Sequence, residues 1–233
     1  MKFTEIMEAI KKLNMEIAGN EEAMNKEIER YYDNLKSMKL AERVEYKKTH
    51  KAEEAEHMEI ITKYDTFIKN GRMKVKLMKH NAKIALYAEV MPIALEILSK
   101  YNGKPYGEKT KDKISNEMKE KTNCYMYINS RYSWETLEIS PSNCHGTEFN
   151  LSTGTIVQNG ERKSLLIDNK IQAVTMEEMQ LFYTKDIYFE DLEATIEEMK
   201  RIEAEYEAKK QELKAIEEKY DCFRVDGFER LSK

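Results

Sequence analysis

Three groups of residues have the types and spacing for chemistry. His50, Glu54 and His57 recur at helical intervals, and Glu54 to His57 has the Glu-x-x-His spacing with which helical bundles hold a di-iron pair. Such a site needs the motif twice plus further glutamates, and neither His80 nor His145 has a Glu three residues before it. Cys144 and His145 place a thiol beside an imidazole, with Cys124 upstream. Sequence neighbours rarely converge into a thiolate–imidazolium pair, and no Cys-x-x-Cys is present to complete a zinc set. Gly103, Lys109 and Thr110 fall at phosphate-loop spacing, but Glu108 stands where the second glycine belongs and the loop follows a helical pattern rather than a strand. The sequence contains no His-Glu-x-x-His, Gly-x-Ser-x-Gly or Gly-x-Gly-x-x-Gly. The expectation is a non-enzyme with no catalytic residue, no metal and no cofactor.

Binding chemistry has more support. From Lys63 to Lys121 there are fourteen Lys or Arg against seven Asp or Glu, whereas acid dominates from Met176 to Lys219. Arg72, Lys74, Lys76, Lys79, Lys104, Lys109, Lys111 and Lys113 crowd this basic stretch, with Tyr106 in a Gly-Lys-Pro-Tyr-Gly turn and Arg131-Tyr132 beyond it. Tyr106 is expected to be exposed. Cations interleaved with aromatics can hold phosphates and stack on bases. The excess of Lys over Arg favours a solvated face over base reading. These residues are the expected binding surface for a protein partner or, alternatively, a nucleic acid.

The elements that would position this surface begin with long helices. Met24, Ile28, Tyr31, Leu35 and Met38 alternate four and three apart. The seam weakens near Glu42 in the manner of a coiled-coil stutter, and the arm is expected to end at Asn70-Gly71. Near the other end, Leu192, Ile196, Met199, Tyr206, Leu213 and Ile216 form a second seam in a charged run without Gly or Pro. A long charged helix cannot bury such a stripe alone. The expected fold is α+β, mainly α: an antiparallel coiled-coil stem carrying a head with a small antiparallel β-sheet. The expected domains are an arm over 1–70, a head over 71–185 and a C-terminal helix over 186–233 that pairs with the arm, with self-association as the rival. Within the head we expect a buried helix over 72–101, a basic helix over 110–121, a meander over 123–175 and a short helix over 176–184. Asn159-Gly160 is the strongest hairpin signal.

Composition bounds the rest. The 233 residues are 41% hydrophobic and 35% charged, with net charge −4, enough apolar material for a core under a heavily solvated surface. Three cysteines without a regular pattern indicate reduced thiols and a cytoplasmic location. No apolar run reaches the roughly 18–20 residues of a membrane helix, so no membrane partner is expected.

The segment from Leu98 to Ile114, LSKYNGKPYGEKTKDKI, resembles stretches in proteins of phages and mobile elements. That resemblance implies an inhibitor that blocks a host defence protein, such as a CRISPR or other nuclease. The expectations are therefore a coiled-coil interaction protein acting by stoichiometric binding, a homodimer through its seams, with a nucleic-acid-binding accessory protein and an enzyme with an unrecognised site as alternatives.

Overall fold

The computed structural model describes residues 1–36, 38–130, 135–142, 148–155, 163–181 and 188–219. It divides into two units, Met1–Phe189 and Glu190–Lys233. The architecture is α+β and mainly α, with long helices and a small antiparallel sheet.

The first unit opens with a helical hairpin. α1 (Phe3–Lys36) buries Ile6, Ile10, Ile17 and Leu35 along one face, with Met24, Ile28 and Tyr31 half-buried in the same stripe. Its partner is α3 (Lys51–Lys100), which supplies the antiparallel surface that the sequence assigned to the C-terminal helix. Pairs run in opposite senses along the two helices. Phe3 N–H donates to Glu89, Arg72 pairs with Glu21 at 2.6 Å, and Tyr31 donates to Glu54 at 2.8 Å. The single arm expected up to residue 70 is thus broken. The chain turns after α1, makes a short helix α2 (Leu40–Thr49) with no buried residue, and turns again at His50. Half-buried Met38 lies in the first turn, where Arg43 donates from Nε to its carbonyl at 2.9 Å. The weakening of the seam near Glu42 marks these turns rather than a stutter.

Asn70-Gly71 does not end a helix. α3 runs through it unbroken, and the boundary expected there falls inside this element. Gly71 is buried because α1 crosses it: a Cβ at this position would lie 2.8 Å from Ile17 Cγ1. The glycine serves close helix approach, not capping. Pro92 also lies inside α3, on its exposed side.

The C-terminal half of α3 covers the head. α4 (Glu108–Thr122) follows a turn in which Gly103 adopts φ +72°, and ends on Asn123 in the left-handed conformation. The sheet comprises β1 (Cys124–Asn129), β2 (Thr136–Pro141), β3 (Leu151–Thr155) and, after the two-residue strands β4 (Leu166–Ile167) and β5 (Lys170–Ile171), β6 (Met179–Leu181). Its order is β1-β2-β3-β6, antiparallel throughout. β4 and β5 form a hairpin of their own, turned by Asp168 and Asn169 with φ of 52° and 58°, as a two-residue turn of positive φ requires.

Alternation puts Cys124, Met126 and Ile128 of β1 inward, against Leu137, Ile139 and Leu151. Val90, Met91, Ala94, Ile97 and Leu98 of α3, with Ile114 and Met118 of α4, close this core. The short helix expected over 176–184 is instead a 3-10 turn (Met176–Glu178) leading into β6. Glu178 takes the Thr175 N–H at 2.8 Å in a capping box, the start signal that the sequence offered for a helix, and both its oxygens accept from Lys163 at 3.0 Å; the chain nevertheless passes at Met179 into pairing with β3. The Asn159-Gly160 signal lies outside the described residues.

The first unit ends on a buried pin. Asn81 of α3 donates from Nδ2 to the Phe189 carbonyl at 2.8 Å and accepts from the Phe189 N–H at 2.9 Å. The second unit contains α5 (Leu192–Lys219), which begins at Asp191, whose carboxylate accepts the Ala194 N–H at 2.9 Å. No helix among the described residues is long and apolar enough to cross a membrane.

Candidate interaction surfaces

The residues with catalytic or metal-binding types do not converge. His57 pairs with Glu27 of α1, Glu54 accepts from Tyr31, and His50 stacks on Tyr46 at 4.0 Å between centroids. Each side chain is spent on a different neighbour, and together they lock α1, α2 and α3 at the far end of the hairpin. Among the described residues no group of three or more His, Cys, Asp and Glu could hold a metal ion. Cys124 is buried in the core, and Cys144 and His145 lie outside the described residues. Tyr31 is pushed up to about 12, first by burial and then by the Glu54 carboxylate that its hydroxyl serves. Glu54 is correspondingly lowered, chiefly by that same hydrogen bond.

The expected basic surface separates into two parts. Arg72, Lys74, Lys76 and Lys79 lie in the middle of α3, and Lys104, Lys109, Lys111 and Lys113 lie in and after the turn beyond its end. From Lys76 to the end of α3 a straight helix rises about 36 Å, at ~1.5 Å per residue. Several of the cations are neutralised locally. Arg72 meets Glu21, Lys79 meets Glu148 at 2.6 Å, and Lys111 meets Glu108 at 2.9 Å. Lys100 and Lys121 sit among Glu96 and Glu117; hydrogen bonds from Lys100 hold Glu117 below the usual carboxylate range. Lys104 lies 4.8 Å over the Tyr101 ring. Lys76, Lys109 and Lys113 are exposed. Arg131 and Tyr132 lie outside the described residues.

Tyr106 is not the exposed contact that its Gly-Lys-Pro-Tyr-Gly turn advertises. It is buried, and its hydroxyl accepts the Ile128 N–H at 2.5 Å and donates to the Ile128 carbonyl at 3.2 Å. Within the head, the aromatics of β1 that face solvent lie on the outer face of the sheet. Tyr125 and Tyr127 of β1 are 39% and 44% exposed, and Lys119 lies 4.7 Å over the Tyr125 ring. Their outward orientation follows from strand alternation, since every second residue of β1 belongs to the core.

Two helical faces are open and apolar. On α3, Ala55, Met58, Thr62, Thr66, Phe67 and Asn70 line a shallow groove of about 650 Å³, rimmed by Glu59 and Lys63. Met58 and Phe67 are both exposed there. On α5, Ile196 is buried, but Met199, Ile202, Tyr206, Leu213 and Ile216 are all exposed, Tyr206 by 64%. Ile202 does not belong to the seam read from Leu192. Counting the heptad from Met199 instead brings Ile202 and Ile216 onto one line.

No family model, no curated protein and no solved structure matches this chain.

Proposed function

We propose that this protein is a non-enzymatic interaction protein that acts by stoichiometric binding of another protein through its open apolar helix faces. The observation that supports this reading is the apolar surface left facing solvent, Met58 and Phe67 in the groove on α3 and five large side chains on α5. Contiguous patches of this kind mark interaction sites in folded proteins. A partner's amphipathic helix is the occupant that such faces fit best. The narrower role is that of an inhibitor of a host defence nuclease, which rests on the resemblance of residues 98–114 alone.

The test is capture of a partner by the wild-type chain and by two surface variants, Met58→Glu/Phe67→Glu and Ile202→Glu/Leu213→Glu. We expect a complex of fixed stoichiometry by light scattering. At least one variant should abolish it while circular dichroism stays unchanged. If neither variant alters capture, the reading fails.

A second reading has its own observation in the exposed Tyr125–Tyr127 pair flanked by Lys119. Aromatics on an open sheet face are a stacking platform for single-stranded nucleic acid. Such binding would weaken steeply with salt and would be lost in Tyr125→Ala/Tyr127→Ala; a mobility shift insensitive to both removes this reading.

A further inference from the structure

We propose that α5 pairs with α5 of a second copy of this chain as an antiparallel two-stranded coiled coil. The inference rests on the interaction reading above and deepens it by naming the occupant of one face. Met199, Ile202, Tyr206, Lys209, Leu213 and Ile216 alternate three and four apart, and all of them are exposed. This stripe spans about 26 Å, at ~1.5 Å per residue, enough for six layers of knobs in holes.

The position of Lys209 decides the orientation. In a parallel pair each seam residue faces itself, so Lys209 would face Lys209 inside the seam and Glu198 would flank Glu203 of the other copy. In an antiparallel pair Met199 faces Ile216 of the second copy, Ile202 faces Leu213, and Tyr206 faces Lys209. Every layer is then apolar, or an ammonium stem laid over a phenol ring with its charge reaching the rim. One flank sets Glu203 beside Lys210 of the second copy, twice by symmetry. The other sets Glu205 near Glu212, a like-charge contact between solvent-facing groups that salt screens. Among the described residues Lys210 is held by an exposed intrahelical pair with Glu207 at 3.3 Å, which exchanges at little cost. The pairing is isologous, so it closes at two copies and does not propagate into a fibre.

The experiment uses the full chain. Light scattering should give twice the 27.5 kDa chain mass at micromolar concentration. Ile202→Glu should weaken the dimer by about a hundredfold or more, because it puts a carboxylate into two layers. Orientation is read by disulfide formation under mild oxidation, with linked peptides mapped by mass so that native cysteines are distinguished. A mixture of Ile202→Cys and Leu213→Cys chains should link position 202 to position 213, and Ile202→Cys alone should not link to itself. Self-linking of Ile202→Cys would overturn the antiparallel register. A monomer at all concentrations, or a dimer indifferent to Ile202→Glu, would overturn the self-pairing while leaving the protein-binding reading to the partner-capture test with the α3 and α5 variants.

Discussion

At the residue scale, Tyr106 shows how one hydroxyl can finish a sheet. β1 is an outer strand, and the outward N–H and C=O of Ile128 would otherwise be left bare in a buried setting. The Tyr106 hydroxyl serves both at once. Tyr106→Phe therefore leaves two main-chain groups unpaired, and we expect a loss of about 1–3 kcal/mol in urea unfolding. The local sequence concealed this role: a tyrosine among Gly, Lys and Pro reads as loop surface, and nothing near it names the strand edge met 22 residues later. Tyr31 gives a second prediction. Burial and Glu54 raise its phenol to about 12 from an ordinary 10.0. A raised group contributes its stability fully below the ordinary value and loses it as pH climbs through the raised one. The α1–α3 hairpin should thus lose this contribution between about pH 10 and 12. Burial also raises the Tyr106 phenol and the Glu53 carboxylate raises that of Tyr46, so tyrosinate absorbance should show a late-titrating fraction to which Tyr31 contributes in the wild type. That fraction should shrink by the Tyr31 share in Glu54→Gln, since the substitution removes the charge acting on Tyr31 and leaves Tyr46 and Tyr106 as they are.

At the scale of the element, the hairpin of α1 and α3 depends on a residue with no side chain. Gly71 lets Ile17 approach to a distance that a Cβ would violate, 2.8 Å to Cγ1 and 2.9 Å to Cδ1. Alanine would gain about 1 kcal/mol in helix propensity, yet overpacking a buried crossing costs about 1–3 kcal/mol, and Ile17 is itself buried. Gly71→Ala should therefore be net destabilising in chemical denaturation. In an Ile17→Ala background, where the obstructing atoms are gone, the same substitution should become neutral or stabilising. Sequence rules read Asn70-Gly71 as a stop because glycine most often punctuates a helix. The contrary outcome depended on a residue 54 positions away, which a local window does not contain.

At the scale of the molecule, the chain divides after Phe189, whose main chain is bonded to the buried amide of Asn81. A chain ended at Glu190 keeps that pin. We expect it to melt cooperatively by circular dichroism within a few degrees of the first transition of the full chain; loss of the transition would show that the first unit needs the second. By itself the sequence determined the class of the fold, the helical character of 3–36 and 192–219 and the change to strand periodicity after Asn123. These are carried by composition and by periods of 3.6 and 2, which need no knowledge of distant neighbours. Which helix lies against α1, whether Gly71 breaks or packs, and whether Tyr106 faces solvent were decided only by tertiary structure. Each depends on contacts between segments far apart in the chain, and a helix stripe states that it needs a partner without stating which surface will cover it.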